Sequence, residues 1–288
     1  MNRLFAWLRG RRNVALCLNS SFFGFFAHAG FLAELHRLGV RPRAVSGASA
    51  GAIVAGFYAG GYAPDEIERM VFDRRLRSAF YEWGLPYRTM SMLSNRSGHT
   101  GALQGDRALA LLEQWLGGRR IEDCQPPLTI SAANISRVRS ELLQNGPLAA
   151  SILASCAVPG MFATRTVQGD AYWDGGIADP VPFEHWLDDA SIDTILIHLA
   201  INIEDIRERH APHDFSFTSG LGRAYQIISD EVYRLKLELA RRARKEVIVL
   251  RTITPRPGPF RLQVGEHCLR LGHATVRNHT RELRNLRE

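Results

Sequence analysis

Apolar positions along this chain switch between two periods, and the switches lay out a succession of elements. Residues 13–18, Asn13-Val14-Ala15-Leu16-Cys17-Leu18, form a short unbroken apolar run, the mark of a strand covered on both faces. Asn19 to Phe25 reads as a loop. From Phe26 the spacing lengthens: Ala29, Leu32, Leu35 and Leu38 fall on one helical face, and Gly39 closes the helix. Residues 43–46 predict a second strand. The opening is therefore a strand-helix-strand unit with parallel strands and a right-handed crossover. Ligands bind such sheets beyond the carboxyl ends of the strands, where Asn19 and Ser49 fall.

Further along, residues 64–83 predict one or two helices. The stretch 85–105 is polar, irregular and rich in Ser, Arg and Met, fitting either a lid or a surface insertion. Residues 106–115 predict a helix with Leu109, Leu112 and Trp115 on one face. A strand follows at 128–135, with 141–143 as a shorter partner. Residues 147–157 form a small-residue helix. The run Ala171-Tyr172-Trp173-Asp174 is a strand that breaks at Gly175-Gly176. Residues 194–199 form a buried strand, 217–244 a long helix and 246–250 a last strand, before a final basic helix. Alternating strands and helices imply an α/β fold.

Composition bounds this picture. The chain has 288 residues, 45% hydrophobic and 23% charged, enough for one large core. It shows no linker, repeat or low-complexity run, so a single domain over 1–288 is expected. Cys17, Cys124, Cys156 and Cys268 are scattered without a C-x-x-C pair, which suggests neither a disulfide framework nor a zinc site and fits a reducing, cytoplasmic compartment. His210 and His213 beside Asp214 have metal-donor chemistry but lack further ligands. Leu4 to Leu8 is too short for a secretory signal and is followed by Arg9, Arg11 and Arg12. The first acidic residue is Glu34, which gives this end a transit-peptide flavour, yet the first strand begins near Asn13. The uncharged run 44–63 is long enough to span a bilayer, but its glycines and serines suit a buried core element better.

Net charge is +7, unevenly spread: residues 234–288 carry 14 Lys/Arg against 5 Asp/Glu. That basic segment is either a solvated face or an attraction for anionic lipid head groups at the inner face of a membrane. Nucleic acid is disfavoured, since no recognised binding motif accompanies the charge.

The chemistry concentrates at Gly47-Ala48-Ser49-Ala50-Gly51, which fits G-x-S-x-G between a strand and a small-residue helix. Such a turn leaves no room for side chains beside the serine, so Gly47 and Gly51 are required and Ser49 projects outward. The helix N-terminus behind it favours developing negative charge. An alcohol needs an adjacent base. His267, His273 and His279 would serve a triad in α/β-hydrolase order, but that fold places several strands before its elbow and here one precedes it. The other candidate is Asp174, whose Gly175-Gly176 neighbours permit a close turn; partial burial would raise its pKa toward a useful range.

Taken together, the first strand-helix unit, the elbow, Ala154-Ser155-Cys156-Ala157-Val158-Pro159-Gly160-Met161-Phe162 and Asp174-Gly175-Gly176 resemble the patatin-like phospholipases over about residues 13–200. The resemblance implies a three-layer α/β/α fold with a mostly parallel central sheet. It also implies a lipid acyl hydrolase acting on phospholipid or other acyl esters, with Ser49 as nucleophile and Asp174 as base. The resemblance further implies that no histidine, metal or other cofactor enters the chemistry. The family carries a glycine-rich oxyanion loop after its first strand. Here the aligned residues are Asn19-Ser20-Ser21-Phe22-Phe23-Gly24-Phe25, with Ser20, Ser21 and Phe22 at the three glycine positions. Two outcomes are open: the N–H groups of Ser21, Phe22 and Ala50 hold the oxyanion, or the added side chains close the hole and leave an inactive lipid binder. Acyl transfer on the same pair is a further alternative. Phe22 or Phe23 is a candidate to line an acyl-chain channel or touch a membrane, Phe25 and Phe26 are candidates for the core, and His28 is expected to be structural.

Overall fold

A computed structural model of the chain describes residues 12–79, 85–94, 98, 100–209, 217–258 and 261–287. Leu4 to Arg11, Trp83 and the His210, His213, Asp214 group lie outside the described residues. Along β1 (Val14–Leu18), Val14, Leu16 and Leu18 join one core cluster while Ala15 and Cys17 join another. A strand whose alternate side chains enter two cores is covered on both faces, as its unbroken apolar run requires. α1 (Phe25–Arg37) crosses back to β2 (Ala44–Ala48), which pairs parallel with β1, Leu18 opposite Gly47. α2 (Ala50–Ala59) follows with one residue between.

Two short helices come next, α3 (Pro64–Met70) and α4 (Arg74–Ser78). The stretch expected to be irregular is in fact α5 (Leu85–Leu93) and β3 (Gly101–Leu103). Its polar composition hid them because α5 rests on β3 partly through a polar contact, the Arg88 Nε donating to Ala102 O at 2.8 Å. α6 (Asp106–Leu116), β4 (Leu128–Asn134), β5 (Arg139–Leu143) and α7 (Leu148–Ser155) match expectation. The three-residue strands β6 (Gly160–Phe162) and β7 (Arg165–Val167) precede β8 (Asp170–Asp174). They are too short for a period-2 signal. β9 (Thr194–Asn202), α8 (Ile203–Arg209), α9 (Phe217–Arg242), β10 (Glu246–Thr254) and α10 (Leu262–Asn278) complete the main elements.

The main sheet runs β10-β9-β1-β2-β4-β8-β7, with β5 paired to β4, and its first five strands are all parallel. This is a mixed, mostly parallel sheet flanked by helices. One face is covered by α1, α2, α7 and α10, the other by α9 and the segment from Val181 to Leu187. α1 and α10 cross at backbone contact. A Cβ on Gly30 would lie 2.2 Å from Leu269 O, and one on Gly272 would lie 2.2 Å from Ala27 O. Both positions therefore admit glycine alone.

The sheet also brings the site together. β2 pairs with the first half of β4, ending with Ala48 opposite Ser131, and β8 runs antiparallel along the second half, with Asp174 opposite Ala132. β5 overlaps both along β4, so β2 and β8 share the other edge of that strand. They meet end to end, and the residues at their tips are Ser49 and Asp174.

Candidate active site

Ser49 sits in the turn between β2 and α2 with φ 51° and ψ −118°, a conformation non-glycine residues rarely adopt. Such strain costs on the order of 1–3 kcal/mol and persists where the surroundings impose it. Gly47 and Gly51 are part of that imposition: a Cβ on Gly47 would lie 2.5 Å from the Gly51 carbonyl, and one on Gly51 would lie 2.1 Å from Leu18 O. The elbow is pressed against the end of β1 and no side chain fits between. Its main chain is tied from the other side by α7. Ser155 Oγ accepts the Ser49 N–H at 2.9 Å and donates to Ser131 O at 2.6 Å, and the Cys156 thiol donates to Ser49 O at 3.3 Å.

The Ser49 hydroxyl donates to Asp174 Oδ2 at 2.7 Å. The other oxygen, Oδ1, accepts the Gly176 N–H at 2.6 Å, which fixes the plane of the carboxylate. Asp174 is buried. Burial pushes its pKa up to about 6, against the lowering effect of the Ser49 hydroxyl and the Gly176 N–H. Burial also drives the Cys156 thiol well above its ordinary value, with the Asp174 charge adding to the effect, so Cys156 stays protonated beside the serine. None of His267, His273 and His279 lines the cleft around Ser49; His273 instead bonds Glu34 at 3.1 Å and lies close to Glu68.

Ser49 and Asp174 lie in a cleft of about 300 Å³ lined by Phe22, Phe23, Phe25, Ile53, Leu112 and Phe162, among others. Phe23 and Phe25 are buried, and Phe22 stands at the surface, 41% exposed. Phe26 turns away to pack on Phe72. Of the four phenylalanines, three line the cleft; Phe25 does so from within the main core cluster, where it was expected.

The loop at 19–24 replaces glycine with hydrogen bonds. Asn19 Oδ1 accepts the Ala200 N–H at 2.8 Å, and Asn19 Nδ2 donates to Ser20 O at 2.7 Å. The N–H and C=O of a trans peptide point in opposite directions, so holding Ser20 O on the Asn19 side chain aims the Ser21 N–H the other way. Ser21 O accepts the Gly24 N–H at 3.2 Å, which sets the Phe22 N–H in the same manner. The Ser20 N–H is already engaged, donating to Pro180 O at 2.8 Å. Phe23 takes a positive φ of 52° to close the turn. Ser21, Phe22 and Ala50 all border the cleft, and Ala50 opens α2, where the main-chain N–H groups have no partner within the helix.

Residues 16–186 match the family model for patatin-like phospholipase. The chain belongs to the patatin-like phospholipase family. The match covers most of the expected core. The chain is also 33% identical over 172 residues to uncharacterized NTE family proteins of Mycobacterium bovis and Mycobacterium tuberculosis, covering 59% of this chain and 44% of each relative. It thus spans less than half the length of these curated relatives. Among solved structures it is similar to VipD from Legionella pneumophila, with TM-score 0.49 and 14% identity over 95% of this chain and 67% of that one. It is also similar to the type III effector protein ExoU, with TM-score 0.44 and 13% identity over 96% and 54% of the respective chains.

Three further residues that shape the patatin-like site had no role from sequence reasoning. Ser155 was visible only as part of a motif. Lys236, on α9, is buried and donates to Asp179 Oδ2 at 2.6 Å, anchoring the segment that holds Ser20 through Pro180 and Ser46 through Pro182. His198 meets His28 Nδ1 to Nδ1 at 2.8 Å inside the core. Neither of the last two carries a local signal, because each acts across a separation of more than fifty residues.

Proposed function

We propose that this chain is a lipid acyl hydrolase that cleaves acyl esters through Ser49 and Asp174. One observation carries the reading: a 2.7 Å hydrogen bond joins the serine hydroxyl to the carboxylate inside an apolar cleft. Ser49 Oγ attacks the ester carbonyl carbon while its proton passes to Asp174 Oδ2. The N–H groups of Ser21, Phe22 and Ala50 hold the oxyanion of the tetrahedral intermediate. Collapse breaks the bond to the alcohol, which leaves with the proton from Asp174, and an acyl-Ser49 intermediate remains. Asp174 then takes a proton from water as it attacks the acyl carbon, and returns that proton to Ser49 as the acid leaves.

A carboxylate with its pKa near 6 is better matched to this work at neutral pH than an ordinary one near 3.8. The chemistry needs no cofactor or metal. The apolar walls suit the acyl chain of a phospholipid or similar ester, and the basic 234–288 segment suits peripheral contact with an anionic membrane from the cytoplasmic side. Among the described residues no helix is long and apolar enough to cross a membrane.

The deciding experiment treats purified protein with a fluorophosphonate and measures hydrolysis of short-chain esters and phospholipid vesicles. Wild type is labelled at Ser49, and Ser49→Ala lowers the hydrolysis rate by at least about 10³-fold. Equal rates for the two proteins overturn the assignment. Product that forms only with an added alcohol acceptor would redirect it to acyl transfer.

A further inference from the structure

Behind the loop at 19–24 lies a buried array that the reaction above does not use. It begins at Asn19 O, which faces His28 Nε2 at 3.0 Å, and continues from His28 Nδ1 to His198 Nδ1 at 2.8 Å. His198 Nε2 meets Thr252 Oγ1 at 2.8 Å, Thr252 Oγ1 meets Thr275 Oγ1 at 2.7 Å, and Thr275 Oγ1 reaches Leu271 O at 3.0 Å. The array links α1, β9, β10 and α10. Phe31 stacks on His198, with ring centroids 3.9 Å apart.

Counting protons fixes its direction. Both ends are carbonyl oxygens, which only accept. Each neutral imidazole and each hydroxyl brings one proton, so four protons serve five contacts. Burial keeps the rings neutral: it pushes His28 down to about 4 and His198 well below its ordinary value. A 2.7–2.8 Å contact without a proton would set two lone pairs against each other, so the deficit falls at one end. Leu271 lies inside α10, where the helix supplies its carbonyl with a main-chain donor. Asn19 is buried, and among the described residues His28 Nε2 is the partner its carbonyl finds, at 3.0 Å. The deficit therefore goes to Leu271. Thr275 donates to Thr252, Thr252 to His198 Nε2, and His198 Nδ1–H to His28 Nδ1.

We infer that His28 is a positioning residue of the acyl-transfer chemistry: held as the Nε2–H tautomer, it donates to Asn19 O and fixes the peptide from which the oxyanion loop departs. The catalytic part of this inference rests on the hydrolase reading above. That peptide is then gripped at both poles, its oxygen by His28 and its N–H by Pro180 O at 2.8 Å. It also abuts the elbow, since a Cβ on Gly51 would lie 2.8 Å from Asn19 O. A shift of the His28 ring moves the Ser21 and Phe22 amides relative to Ser49.

The test has two readouts on the full chain. Imidazole ¹⁵N spectra of histidine-labelled protein at neutral pH should show His28 protonated at Nε2 and His198 at Nδ1; the reverse pair of tautomers overturns the inference whatever the activity. In kinetics with a short-chain ester, His28→Leu should lower kcat about 10²-fold at nearly unchanged KM. His28→Gln keeps an N–H directed at Asn19 O and should stay within about fivefold of wild type, about 1 kcal/mol in barrier. Wild-type kcat in a folded His28→Leu protein, alongside an inactive Ser49→Ala, overturns the positioning role. If His28→Leu does not fold, an equally deep kcat loss in folded His28→Gln overturns it. Full activity in Ser49→Ala instead overturns the hydrolase reading and leaves the tautomers to the spectrum alone.

Discussion

Two turns face each other across the site, and they are held by opposite means. The elbow at 47–51 is held by missing side chains: Gly47 and Gly51 let β1, β2 and α2 approach so closely that Ser49 is forced to a positive φ. The loop at 19–24 is held by side chains that are present. Asn19 bonds to β9 and to Ser20 O, and its own carbonyl meets His28 Nε2 at 3.0 Å. The first device depends on steric exclusion and tolerates no added atom. The second depends on hydrogen bonds and should yield in steps. The comparison shows how a loop with serine and phenylalanine at the glycine positions can hold its peptide planes: the conformational freedom glycine offers matters less once partners fix each plane.

The sharpest way to break this contrast is Gly51→Ala. Its methyl would meet Leu18 O at 2.1 Å, against main chain that has no rotamer to yield. Esterase activity should fall below about a thousandth of wild type, and chemical denaturation should show a loss of at least about 1–3 kcal/mol. Asn19→Ala tests the other turn. It should leave the elbow and fluorophosphonate access intact while lowering kcat about 10²-fold, roughly the effect of one misplaced oxyanion donor. An equal collapse in both variants would show that the turns are one mechanical unit.

A pH profile sharpens the comparison at the carboxylate between the turns. With Asp174 held near pKa 6 by burial, the ester rate should fall about tenfold per unit as pH drops below 6. Stability runs the other way. The folded protein keeps a proton that the unfolded chain releases near 3.8, so stability declines as pH rises from about 4 to about 6. Asp174→Asn should abolish activity and flatten that decline in urea titrations. The smallest change in stability is expected for Ser49→Gly, which removes the proposed nucleophile but relieves the φ of 51°. It should be inactive yet more stable by about 1 kcal/mol.

Much of this was legible from the residues. Val14 to Leu18 announced a doubly covered strand, Ala29 to Leu38 its helix, and the spacing of Gly47, Ser49 and Gly51 marked the elbow, because each is set by neighbours in the chain. Asp174 was legible through its two following glycines. The strands Gly160–Phe162 and Arg165–Val167 were not, since three residues carry no period. Helix Leu85–Leu93 escaped because Tyr87, Met90 and Leu93 stand exposed while Ser91 is buried, inverting the usual pattern. The pairing of His28 with His198 and of Asp179 with Lys236 was invisible, for nothing local to either partner anticipates the other.

The glycine crossing of α1 and α10 has a consequence for the boundary of the matched segment. Residue 186 is where family likeness stops, but the interior does not stop there. α1 carries His28 and flanks the loop of the site, and it is seated at backbone contact on α10, a helix that lies wholly beyond residue 186. A fragment ending at that boundary would keep every residue of the proposed chemistry while lacking one wall of the room in which it would take place.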